Sequence, residues 1–137
     1  MAETIGQEKN PVITIMTPNY RGKYLLDTVR SVLEQTYGKI QYIIVDDGSE
    51  NFDEAALLEY INANKRGNLV DVIIKHLPQN GGTVHALNCA IAAASGEDLF
   101  NLACDDVFED PNVVADWVRE FQKTGACCMT AYRLIYE

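Results

Sequence analysis

The chain has 137 residues, 47% of them hydrophobic, with 11 Lys plus Arg against 20 Asp plus Glu for a formal charge of -9. That is enough chain for one domain with a sizeable core, too little for two, and too apolar for a disordered segment. The acidic balance repels nucleic acid, no apolar run is long enough to form a transmembrane segment, and Glu3 and Glu8 stand where a secretory signal would need an apolar core.

Residues 1–11 read as a polar leader and 12–137 as one domain. Val12 to Met16 is a β-branched first strand that stops at Thr17-Pro18-Asn19-Tyr20, and Arg21-Gly22 makes a turn. From Tyr24 to Thr36, Leu25, Val29, Val32 and Leu33 recur at helical spacing. A second strand, Gln41 to Val45, runs into Asp46-Asp47-Gly48-Ser49. Asp53-Glu54 open a helix with Ala56, Leu57, Tyr60 and Ile61 as its inner stripe. Leu69 to Ile74 is a third strand, and Asn80-Gly81-Gly82 lies in a loop rich in turn residues.

Thr83 is the expected cap of a third helix containing Val84, Leu87, Ala90, Ile91 and Ala94, ended by Gly96. A buried fourth strand, Leu99 to Ala103, then delivers Asp105-Asp106. Asp110-Pro111 pairs an N-cap with a first-turn proline and starts a fourth helix with Val113, Val114, Trp117, Val118 and Phe121 inward. Gly125 breaks it, and Ala126 to Ala131 reads as a fifth strand. The four cysteines form no CxxC pair, which argues against a zinc site and a disulfide scaffold.

Alternating strands and helices of this kind give an α/β fold, a mostly parallel sheet with helices on both faces. Right-handed crossovers bring successive strand ends to one edge. Both acidic pairs, the Pro18-Asn19-Tyr20 turn and the glycine loop meet there, where open α/β sheets bind ligands. Asp105 and Asp106 suit Mg2+ or Mn2+, which need few protein carboxylates when a ligand's phosphates supply other oxygens; their plainer role is a solvated turn. Asp46 and Asp47 divide into one structural and one ligand-facing residue. His85 is a candidate ligand contact against the plainer role of a surface histidine, and His76 a weaker one. Cys104 has no neighbouring histidine to activate it as a nucleophile.

At these residues the chain resembles the nucleotide-sugar-binding half of a family 2 glycosyltransferase with the GT-A fold. The likeness runs from about Val12 to Tyr136 in several blocks: Val12 to Tyr20, Ser31 to Tyr37, Ile43-Ile44-Val45-Asp46-Asp47-Gly48-Ser49, Asn80-Gly81-Gly82 with Ala86-Leu87-Asn88, and Ala94-Ser95-Gly96-Glu97. It implies that Thr17 and Tyr20 surround the base of a nucleotide-diphosphate sugar, a UDP-sugar by preference, and that Asp47 contacts that base. Ala103-Cys104-Asp105-Asp106 stands against the family's D-x-D-D, in the A-x-D-D form of a bacterial spore-coat member. By that likeness Asp105 takes the ribose and Asp106 the metal, Mn2+ or Mg2+.

The first turn departs from the family pattern, with Asn19-Tyr20-Arg21 in place of x-Tyr-Asn. The resemblance further implies an inverting transfer to a saccharide or other hydroxyl acceptor. The general base and the acceptor half have no matching segment, so the chain is expected to be truncated or naturally short. A non-catalytic nucleotide-sugar-binding module stays open as an alternative. A nucleotidyltransferase is disfavoured because Tyr20-Arg21-Gly22-Lys23 only faintly resembles a basic glycine loop, and a signalling receiver because its first strand would end in an acidic pair. A cytoplasmic location is expected, or the cytoplasmic membrane face in a longer protein, with a homodimer as the oligomeric expectation.

Overall fold

The computed structural model describes residues 10–130 and 135. Among these residues four strands, β1 (Ile13–Asn19), β2 (Ile40–Asp46), β3 (Leu69–His76) and β4 (Asp98–Asn101), alternate with four helices, α1 (Leu25–Leu33), α2 (Glu54–Asn64), α3 (Thr83–Ala93) and α4 (Val113–Thr124). The strands form one sheet in the order β3-β2-β1-β4, and every pairing is parallel.

β2 lies inside the sheet and all of its residues are buried. Strand alternation divides its side chains between two apolar layers. Tyr42 and Ile44 pack with Val29, Val32 and Leu33 of α1, Leu57 and Ile61 of α2, and Val114 and Val118 of α4. Ile43 and Val45 join Met16 on the opposite face, against Ala86 and Ala90 of α3. Each fully buried isoleucine stabilises the fold by about 2 kcal/mol relative to an exposed one. The expected α/β architecture, with helices on both faces of a parallel sheet, is therefore the one observed.

Several boundaries differ from expectation. Among the described residues β4 is a half-exposed edge strand, with Leu99 45% exposed, and it ends at Asn101, so Asp105 and Asp106 lie on a turn beyond it. α3 is entered from Gly82, whose φ of 100° suits glycine, and Thr83 is its first helical residue with no side-chain cap. The helix turns Ala86 and Ala90 to the sheet, with Leu87, Cys89 and Ala93 packed beside them, and leaves Val84 and Ile91 exposed because these two, seven residues apart, lie on the opposite face. On α2, Ala56 is exposed while Leu57 and Ile61 are buried.

α4 starts two residues after Pro111, with Asn112 at the cap position but no side-chain cap bond from it. Its first turn is satisfied from a distance: the buried Gln35 accepts from Val114 N at 3.0 Å through Oε1 and donates to Asp110 O at 2.8 Å through Nε2. Residues 126–130 carry no strand, and Ala131 lies outside the described residues, as does the expected leader up to residue 9. Pro11 is buried, and its carbonyl accepts from the Tyr37 hydroxyl.

Candidate functional site

The C-terminal ends of β1, β2 and β3 are level, because Asn19 pairs with Asp46 and Asp46 with His76. Alternation then sends the two aspartates of the second strand to opposite sides of the sheet. Asp46 turns toward the layer of α1 and α2 and is fully buried. Its Oδ1 accepts from Asn19 Nδ2 and Ser49 Oγ, both at 2.7 Å, and its Oδ2 from Ser49 N and His76 Nδ1, both at 2.8 Å. Burial pushes its carboxyl up, but the bonds from Ser49, Asn19 and His76 outweigh that and hold it below the usual range. These bonds give Asp46 a structural role.

Asp47 turns toward the α3 side. Gly81 N donates to its Oδ1 at 2.9 Å; Gly82 N at 2.8 Å and Asn80 Nδ2 at 2.9 Å donate to Oδ2. The loop 80–82 is thereby gathered onto the carboxylate at the start of α3. Gly48 makes the close approach possible: at φ +83°, a Cβ there would lie 2.4 Å from Asn80 N. His85 is exposed one turn into α3, against Gly81, where a Cβ would meet its ring at 2.7 Å.

The remaining candidates join the same rim. Asp47 N donates to Asn19 O at 2.7 Å, which sets Tyr20 beside the β2 end. Tyr20 is 40% exposed, with the Arg21 guanidinium 4.9 Å from its ring centre. The main chain of Tyr20 lies against the Cys104 thiol, next to Asp105. Burial pushes the Cys104 thiol up, which disfavours a nucleophilic role. Asp105 is exposed and Asp106 half-buried; Asp106 N bonds Ala103 O at 3.1 Å, and Thr28 Oγ1 donates to Asp106 O at 2.7 Å, so the turn is anchored to α1.

Thr17 differs from its expected place on the rim. It is fully buried and its hydroxyl pairs with that of Tyr42 at 3.0 Å, because its position alternates into the α1 and α2 layer. His76, expected in the loop after the third strand, ends β3, and its partner Asp46 is set by strand register.

Among the described residues, no group of three or more His, Cys, Asp and Glu side chains forms a protein-only metal cage. The adjacent hard carboxylates of Asp105 and Asp106 fit a divalent ion that takes its other oxygens from a ligand and water. A cavity of about 740 Å3 opens elsewhere, between the β1–α1 and β2–α2 loops, bordered by Asn19, Tyr24, Phe52 and Tyr60. Its lining includes none of Asp47, Asp105 and Asp106, so its size alone does not identify the site.

The model of the family described as glycosyl transferase family 2 matches residues 13–136. An uncharacterised glycosyltransferase of Rickettsia prowazekii (strain Madrid E) is 33% identical over 115 residues, covering 83% of this chain and 33% of that protein. Of the solved structures, mannosyltransferase PcManGT from Pyrobaculum calidifontis, in complex with GDP-Man and Mn2+, superposes with a TM-score of 0.72 at 21% identity, over 82% of this chain and 32% of its own. S. aureus TarS 1-349 in complex with UDP gives 0.71 at 20% identity, over 83% and 33%. These structural likenesses show a shared GT-A fold, and the chain spans about a third of the length of these three proteins. With the family model covering the whole sheet and both acidic strand ends, the chain belongs to glycosyl transferase family 2.

Proposed function

We propose that this chain is the donor-binding part of an inverting, metal-dependent glycosyltransferase that uses a nucleotide-diphosphate sugar, UDP-linked by preference. The observation that carries the reading is the convergence of Tyr20, Asp47 and Asp105-Asp106 on one rim, each on a loop anchored to the next. Among the structural neighbours, one holds GDP-Man with Mn2+ and another holds UDP, which supports a nucleotide ligand of this class.

Asp47 accepts three hydrogen bonds at its carboxylate from loop 80–82. A carboxylate offers about four acceptor directions, so one remains for a ring N–H of the base. Arg21 covers one face of Tyr20, and the base would stack on the opposite face. Thr17 supports β1 from beneath through Tyr42. Asp105 accepts from a ribose hydroxyl, and Asp106 holds Mn2+ or Mg2+. Such an ion supplies charge neutralisation at the diphosphate and at the departing nucleoside diphosphate. The chain's own residues orient the donor. The base that deprotonates the acceptor hydroxyl, of a saccharide for instance, is assigned to none of the described residues. The homodimer expected from the sequence has no support in the single chain.

Calorimetric titration with UDP and with GDP, each with Mn2+ and with chelator, tests this reading. The expected result is Mn2+-dependent binding that Asp106→Ala weakens by at least about tenfold, a loss of about 1.4 kcal/mol. Folded protein that binds neither nucleotide under any of these conditions would contradict it.

A further inference from the structure

We propose that His76 is a positioning residue of the candidate donor site, acting through Asp46 on the turn that carries Tyr20. This rests on the donor-site reading above. His76 ends β3, two strands away from β1, yet it stands in the same cross-strand row as Asp46 and Asn19. Of the residues that bond the Asp46 carboxylate, Ser49 is three positions along the chain, whereas His76 is 30 positions away and Asn19 27. Asp46 therefore fastens three strand ends at one point.

The connection continues outward. Ser49 Oγ, donating to Asp46 Oδ1 at 2.7 Å, accepts from Arg21 N at 2.7 Å. Arg21 has a φ of 53°, in the left-handed region that non-glycine residues rarely adopt, so an external bond is needed to hold it there. Its neighbour Tyr20 is the proposed base platform. The His76 ring is itself held, stacked on Phe52 with centroids 5.4 Å apart and planes at 15°. Ionised Asp46 can only accept, so the Nδ1 atom facing it carries the proton. Removing that donor leaves a fully buried carboxylate oxygen short of a partner, and the cost falls on the hydrogen bonds that set Ser49 and Arg21.

Two substitutions separate the hydrogen bond from the ring. His76→Asn places an amide nitrogen at the same number of bonds from the backbone as Nδ1 but has no ring to stack. His76→Phe keeps a ring for Phe52 and has no N–H. In ligand-free 15N-labelled protein, His76→Phe is expected to displace the Ser49 and Arg21 amide resonances, while His76→Asn keeps them near their wild-type positions. At a temperature where both variants are folded, His76→Phe is expected to weaken UDP binding in Mn2+ by about tenfold, and His76→Asn by less than about twofold.

A His76→Phe protein that melts earlier but keeps the wild-type Ser49 and Arg21 resonances and UDP affinity would overturn the proposal, as would His76→Asn behaving like His76→Phe. Should His76→Phe fail to fold, Ser49→Ala breaks the same connection one step later. It is expected to shift Arg21 and weaken UDP equally; unchanged UDP affinity there would overturn the proposal. If wild-type protein binds no nucleotide, the donor-site reading fails on its own, and the amide resonances alone decide the linkage.

Discussion

A buried carboxylate survives only where its lone pairs are filled, and Asp46 meets that condition with partners from three strand ends. Its pKa is held below the usual carboxylate range. Its stabilising effect is therefore fully present above the unfolded value of about 4 and is lost as the pH falls through the lower folded value. Asp46→Asn is expected to cost about 3 kcal/mol at pH 7, because a donor replaces one acceptor in a filled shell. In urea unfolding followed from pH 6 to pH 2.5, the variant should lose less stability than the wild type across the acid range. The division between Asp46 and Asp47 was half legible in the sequence: adjacent residues at a strand end face opposite ways, but which of them is enclosed by the α1 and α2 layer and which meets the 80–82 loop depended on where the helices lay. His76 was illegible, since its partner is chosen by strand register and not by any neighbour in sequence.

Among the elements, strands and helices with strong periodicity were readable, and their ends were not. Asp110-Pro111 is a strong local start signal, yet α4 begins at Val113 because Gln35, 79 residues before Val114, supplies the acceptor for its first turn. Gln35→Ala should therefore cost about 1 to 2 kcal/mol, the range of a lost cap, with the loss appearing in thermal unfolding and in faster amide exchange at Val114. Asn68 plays a matching part at the C-terminal end of α1, donating to Val32 O and Gln35 O at 3.0 Å. The apolar residues of α3 are divided for a different reason. Apolar residues lie all around α3, so their count does not say which face meets the sheet; Ala86, Leu87, Ala90 and Ala93 do, and Val84 and Ile91 face away.

At the scale of the molecule, the order of alternating elements made the parallel sheet and its loaded edge legible before any contact was known. The distances that join the loops into one rim became readable only with the sheet order β3-β2-β1-β4, which sets β4 beside β1 and thus Cys104 and Asp105 beside Tyr20. With a formal charge of -9, the surface offers Mn2+ many weak positions, so bulk metal uptake is a poor guide to the site. The decisive measurement is paramagnetic broadening of 15N-labelled amides by substoichiometric Mn2+, recorded with and without UDP. If the rim works as proposed, UDP concentrates the broadening at residues 103–107 and 80–82. Broadening that stays spread over the acidic surface, or that gathers at the cavity bordered by Tyr24 and Tyr60, would contradict it.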